Sequence, residues 1–328
     1  MKELLEKLTQ AYGPSGSENS IRELIKSELS GYETKTDALG NLIIEKEGKQ
    51  GGKKIMFAAH MDEIGVMVTH IDKDGFLRFD FIGGVNPYQL PAERVRFANG
   101  TIGVIGLEKI DKISDLNREK LYIDIGAESK EEAEKLVSIG DSASFISPFV
   151  DLGNRFVSKA MDNRSACAVL VKLLQNLPET DNHIVAVFTV QEEVGLRGAT
   201  TAAFATEPDY GIALDVTATG DTPKGLTMDV GLGKGAAIKV KDRSIMVHPY
   251  VKEKLVELAE KNNISYQMEV LEFGGTDAGA IHLSRSGVPS GAISIPCRYV
   301  HSRSEMVDIR DMEAALKLAQ AFCGADLR

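Results

Sequence analysis

The chain has 328 residues, 43% of them hydrophobic and 26% charged, and a formal net charge of −10, which suits one or two ordinary globular domains. The acidic balance argues against nucleic acid and anionic membranes as partners, and no apolar run is long enough to span a bilayer. Cys167, Cys297 and Cys323 are scattered without CxxC spacing, as expected of buried thiols in a reducing, cytoplasmic compartment.

The N-terminal MKELLEKLTQAYG mixes charges into an amphipathic pattern and lacks the apolar core of a signal peptide, so it reads as a helix. Residues 1–33 predict two helices, broken at Gly13-Pro14-Ser15-Gly16-Ser17, with Ser15 or Ser17 capping the second. NLIIEKEG and KKIMFAAH predict two strands separated by a Gly/Lys turn. From about Val66 the texture changes to short alternating runs with hairpin punctuation. Lys73-Asp74-Gly75 precedes FLRFDFIGG, and Asn99-Gly100 separates RVRFA from TIGVIGL. One helix-like stretch, KEEAEKLVSIG, interrupts them, and the charged run Leu107 to Lys120 reads as a solvated loop.

After about Val157 an α/β rhythm returns. MDNRSACAVLVKLLQNL, KEKLVELAEKNN and DMEAALKLAQAF have helical spacing, whereas HIVAVFTVQEE, YGIALDVT, AAIKVKD and SGAISIPCRY read as strands. The expected architecture is an α/β sandwich, residues 1–65 and 158–328, interrupted by a small β-rich domain at 66–157.

Acids and imidazoles gather at the C-terminal ends of the core strands, where ligands bind in open α/β sheets. IMFAAHMDE delivers His60 and Asp62, FTVQEE delivers Glu192 and Glu193, IALDVT delivers Asp215, and His301 follows AISIPCRYV. Asp162 opens the helix after the β-rich block. Each alone has an ordinary explanation: a hydrogen-bonded histidine, an N-cap, a turn former. Together they supply two imidazoles and several carboxylates, a donor set suited to zinc, cobalt or manganese and large enough for two ions sharing a carboxylate.

The adjacent glutamates fit this reading. Two carboxylates side by side at the end of a core strand repel each other and resist desolvation unless a cation offsets them. Successive strand side chains point in opposite directions, so one of Glu192 and Glu193 is expected to bind metal while the other faces the open coordination position. Gly195 and Gly198 then let the backbone turn sharply.

AHMDEIG, AMDNR, QEEVGLRGA, ALDVT, GGTDAGAIH and RYVHS occur in the order seen in the glutamyl/tetrahedral aminopeptidases, and the chain resembles that family (metallopeptidase family forty-two) over nearly its whole length. The resemblance implies a three-layer α/β/α di-metal peptidase with an inserted barrel-like domain that serves as lid or oligomerisation element. It implies that His60 and His301 each bind one of two divalent metals, zinc or cobalt with manganese as a further option. Asp162 would bridge them, Glu193 and Asp215 would complete one site each, Glu192 would be the general base, and Asp62 would orient His60. It implies a cis Asp162-Asn163 bond, peptide substrates with a free N-terminus, and dimers assembling into a tetrahedral dodecamer. The preferred N-terminal side chain stays open among acidic, apolar and basic. FGGTDAGAIH, Phe273 to His282, either lines the substrate side of the cleft, as the resemblance has it, or is a tight turn and helix start. Tyr299 and Arg298 either shape the cleft or finish a strand, and His70, His183 and His248 carry no role.

The closest rival is another di-metal amidohydrolase, a carboxypeptidase or deacylase, whose inserted domain is usually α/β and not hairpin-rich. A glycosidase would need two carboxylates about 5–9.5 Å apart across a sugar, and the chain has no tryptophan to stack on one. A non-enzymatic role sits poorly with an intact set of ligands and Glu192.

Overall fold

The computed structural model describes residues 1–49 and 51–328. Among the described residues the strands form an open sheet and a closed barrel. The chain enters the open sheet through β1 (Lys35–Thr36), β2 (Leu42–Lys46) and β3 (Lys54–His60). It then builds the barrel from β4 (Gly65–Ile71), β5 (Leu77–Ile82), β6 (Arg94–Phe97), β7 (Ile102–Leu107), β8 (Leu121–Asp124) and β9 (Ser142–Phe145). It returns to the open sheet with β10 (Val150–Asp151), β11 (Arg155–Ser158), β12 (His183–Thr189), β13 (Tyr210–Thr217), β14 (Ala236–Lys241), β15 (Tyr266–Val270), β16 (Ser290–Arg298) and β17 (Glu305–Asp308).

Helices α1 (Lys2–Gln10), α2 (Asn19–Glu28), α4 (Met161–Gln175), α6 (Pro249–Lys261) and α8 (Ile309–Cys323) contribute to the largest core. α5 (Arg197–Thr206) and α7 (Ala278–Ile281) cover the other face of the sheet, and α3 (Lys130–Ala133) belongs to the barrel. Strand β3 explains the layering. Ile55, Phe57 and Ala59 pack with α4 and α8 on one face, while Met56 and Ala58 pack with α5 and α7 on the other. A strand covered on both sides must be apolar at both parities, which is why KIMFAAH does not alternate. α4 lies between the sheet and α1 and α8, and all its residues except Lys172 and Gln175 are buried, which accounts for its apolar run.

The barrel closes in the order β4-β5-β8-β7-β6-β9, with Val66, Val68, Phe79, Val95, Phe97, Ile105 and Ile123 in its interior. Both hairpins expected from the turn residues form, β4 with β5 and β6 with β7. The strands change sheets between Phe145 and Val150, ahead of the boundary expected at 157, because β11 finds its partner in β17 of the open sheet. KEEAEKLVSIG is helical for one turn only; Ala133 and Val137 reach the barrel core while Leu136 and Ile139 stay exposed. Neither Ser15 nor Ser17 caps α2, since Ser15 hydrogen-bonds Asp62 instead. Among the described residues no helix is long and apolar enough to cross a membrane.

The central strands β12, β3, β13 and β16 run parallel, so their C-terminal ends share one edge. Thr189 pairs with His60 there, which sets the residues following β12 beside the end of β3.

Candidate metal centre and active site

β3 ends on His60, and Asp215 projects from within β13. Strand β12 stops at Thr189, before the paired glutamates. Gln191 then takes a positive φ of 55°, and the N–H groups of Gly195 and Leu196 both donate to the Glu192 carbonyl at 2.9 Å. The glutamates therefore diverge because they sit in a tight turn, and strand alternation, the reason expected from sequence, does not apply. Gly198 is required by room: a Cβ there would lie 2.3 Å from Asn41 Oδ1 and 2.5 Å from the Val190 carbonyl. Asp162 has non-helical angles (φ −78°, ψ 104°) at the start of α4, and its bond to Asn163 is cis. His301 follows β16 with a φ of 60°.

These segments assemble two donor clusters that share one residue. His60, Asp162 and Asp215 form the first, and Asp162, Glu193 and His301 the second, each with its ligand atoms within 4.8 Å of one another. His60 Nε2 lies 3.0 Å from Asp162 Oδ1 and 3.7 Å from Asp215 Oδ1. His301 Nε2 lies 3.4 Å from Asp162 Oδ2 and 3.2 Å from Glu193 Oε2. Asp162 thus turns one oxygen to each cluster. Glu192 stands outside both, with Oε2 3.9 Å from His60 Nε2.

Asp62, expected to orient His60, has its Oδ1 3.4 Å from His60 Nδ1, which is buried without a hydrogen-bond partner. Asp62 accepts N–H donation from Glu192 at 3.0 Å and Glu193 at 3.2 Å, and the Ser15 hydroxyl at 2.6 Å. One buried carboxylate thereby ties the end of β3 to the turn after β12 and to the loop between α1 and α2.

Two further holders lie outside every motif read in the sequence. Glu305, on β17 and buried, accepts from the Asp162 N–H at 2.9 Å through one oxygen and from the His301 N–H at 2.8 Å through the other. Gly84, in the loop after β5 of the barrel, accepts from His301 Nδ1 at 3.1 Å. A carbonyl can only accept, so Nδ1 carries the proton and Nε2 is the ring nitrogen directed at the cluster. The signal for Glu305 is an acid at an otherwise inward position of a strand. Gly84 has none, because a backbone carbonyl leaves no trace in residue type.

The electrostatics favour cations. Burial pushes Glu192 well above the ordinary carboxylate range, with Asp215, Glu193 and Asp277 adding to it against the pull of His60. Burial likewise pushes Asp215 up to about 7. Burial would lower His301, but Glu193 and Asp162 outweigh it and raise the imidazole to about 12. The carboxylates thus hold positive charge at the imidazoles unless another cation supplies it. Glu193 Oε1 is buried without a hydrogen-bond partner, a vacant donor of the kind a metal accepts. The donor set fits divalent metal ions.

Other sequence expectations fare unevenly. Phe273, Gly274 and Gly275 line the cavity over the cluster, whereas Asp277 is buried behind it with Thr189 donating at 2.5 Å. His282 bonds the Ala278 carbonyl within its own helical turn. Arg298 is engaged by Asp221 through Nε at 2.9 Å and Nη2 at 2.8 Å, and neither it nor Tyr299 lines the cavity.

The family model described as M42 glutamyl aminopeptidase matches residues 40–318. The chain belongs to the M42 glutamyl aminopeptidase family. It is 56% identical over 98% of both chains to a protein of Acetivibrio thermocellus named as a putative aminopeptidase. It is 38% identical to the lysyl aminopeptidase of Pyrococcus furiosus, covering 98% of this chain and 96% of that one. It superposes with a TM-score of 0.90, at 38% identity and over 99% of both chains, on the Pyrococcus horikoshii TET1 peptidase, described as assembling into a tetrahedron or a large octahedral shell. This M42 peptidase is therefore an aminopeptidase of a metal-dependent family. Its cavity of about 460 Å³ opens directly over the two donor clusters.

Proposed function

We propose that the chain hydrolyses the first peptide bond of peptides with a free α-amine, using two divalent cations held by the two donor clusters and Glu192 as general base. The observation that carries this reading is the sharing of Asp162, whose two oxygens face different clusters. His60 and Asp215 would hold one cation, Glu193 and His301 the other, and Asp162 both. Zinc or cobalt, with manganese a further option, suits this mix of imidazole and carboxylate. When bound, such a pair polarises the scissile carbonyl and makes a water easier to deprotonate.

Glu192 is the carboxylate of the cavity that belongs to neither cluster, and burial raises its proton affinity. It takes the proton of the attacking water and delivers it to the departing amine. Asp62 acts as a positioning residue, holding His60 and, through two backbone N–H groups, the turn that carries both glutamates.

The chain acts as a homo-oligomer, dimers building a tetrahedral dodecamer through the barrel. The shell formed by the related TET1 peptidase supports this, as do Ile102 and Val104, apolar and exposed on the outside of β7. All three cysteines are free and buried, in keeping with the cytoplasm.

The test is hydrolysis of leucyl-p-nitroanilide and its N-acetylated form by stripped and by zinc- or cobalt-reloaded protein, beside Glu192→Gln. Cleavage of the free-amine substrate alone is expected, dependent on metal. In the variant kcat should fall by roughly 10²–10⁴-fold at unchanged metal content. Metal-independent cleavage, or full activity in the variant, would sink the mechanism.

A further inference from the structure

The cavity has a second wall beside the metal-ligating one. It is made by Leu196 from the turn after Glu193, Val216 and Ala218 from the end of β13, and Leu271 and Phe273 from the segment after β15. Gly274 and Gly275 add backbone only. Among the described lining residues this wall holds no lysine, no arginine and no carboxylate.

Its one polar side chain is already engaged. The Thr217 hydroxyl donates to Glu269 Oε1 at 2.9 Å, so its proton is not offered to a substrate side chain. Behind Thr217, the buried Lys239 ammonium is paired with Glu269 and lies 3.2 Å from Asp242 Oδ2, so its charge is consumed before it reaches the cavity. Arg298, near this end of the sheet, is bound in fork fashion by Asp221 and does not line the cavity.

An acidic side chain entering here would lose water and find no lysine or arginine among the described lining residues to pair with. A basic one would lose water and find no carboxylate on this wall, Glu192 being the cavity's one carboxylate outside both donor clusters and committed to the general-base role proposed above. An apolar one exchanges water for Leu196, Val216, Leu271 and Phe273.

We propose that this wall selects substrates with an apolar N-terminal side chain, leucine and methionine above all, and that Phe273 at the cavity mouth is the residue that sets this preference. The proposal rests on the aminopeptidase reading above and adds the substrate class to it. Phe273 is 47% exposed, so it can be changed without opening the core.

The experiment compares kcat and KM for leucyl-, methionyl-, alanyl-, glutamyl- and lysyl-p-nitroanilides on cobalt-loaded full-length protein. It uses the wild type, Phe273→Ala and Phe273→Arg, all checked for equal metal content. The wild type should prefer leucine and methionine over glutamate and lysine by about tenfold or more in kcat/KM, a few buried methylenes being worth at least that. Phe273→Ala should raise KM for the leucyl substrate several-fold and kcat/KM for the alanyl substrate by less than it lowers the leucyl value. Phe273→Arg should lift glutamyl relative to leucyl turnover by about tenfold. Glutamyl or lysyl turnover equal to or above leucyl in the wild type would overturn the proposed preference alone. An unchanged profile in both variants would overturn the role of Phe273. Silence on all five substrates would instead overturn the aminopeptidase reading on which this one stands.

Discussion

Glu305 touches no candidate metal position, yet each of its oxygens holds the backbone of a residue that does. Truncating it leaves the N–H groups of Asp162 and His301 without acceptors in a buried site. Glu305→Ala should therefore lower divalent-metal affinity by roughly 10–100-fold, read by titrating zinc into stripped protein against a chelating indicator. Glu305→Gln, which keeps one acceptor, should fall between the variant and the wild type. Equal affinity in all three would remove Glu305 from the site. The candidate metal ligands were legible in the sequence, because His60, Asp162, Glu193, Asp215 and His301 each lie within or close to the end of a recognisable element. The residues that hold them were not. Ser15 read as a helix cap, and Glu305 lay outside every stretch the sequence singled out.

At the scale of elements, the loop after β5 matters more than its length suggests. Gly84 accepts from His301, and a Cβ on Gly84 would lie 2.5 Å from His301 Nδ1. The neighbouring Gly83 has a φ of +78°, and a Cβ there would meet Glu193 Oε2 at 3.1 Å. Gly84→Ala should cost about 10–100-fold in kcat/KM with little change in melting temperature, since the position is exposed. An active Gly84→Ala enzyme with normal metal content would mean that the loop yields freely. Periodicity made the strands and long helices visible. It did not reveal that β10 and β11 leave the barrel for the open sheet, because two-residue and four-residue strands carry too little pattern to name a partner. Nor did it reveal that the paired glutamates lie in a turn, which depends on the positive φ of Gln191.

For the whole molecule, the barrel presents Ile102 and Val104 to solvent from alternate positions of β7, an exposure that a packed partner would relieve. The wild type should migrate in size-exclusion chromatography with light scattering as a multiple of its 35.6 kDa chain. Ile102→Lys combined with Val104→Lys should shift it toward smaller species without loss of secondary structure. A monomeric wild type would remove the assembly, and an unchanged assembly in the double variant would move the interface elsewhere. The layered α/β plan and the barrel were both legible as a change in texture near Val66, because hairpin turns and buried parallel strands use different residues.

The barrel is tied to the candidate metal centre at three points. It departs five residues after His60, returns through β11 four residues before Asp162, and rests its Gly84 carbonyl on His301. An inserted module is often treated as detachable, joined by a stalk that could be cut and resealed. Here the joins fall beside His60 and Asp162, two candidate metal ligands, and the loop after β5 holds an imidazole. Excising residues 66–145 would remove the acceptor that orients His301, however well the ends were rejoined. By the same linkage, the placing of the barrel and the orientation of that ring are not independent.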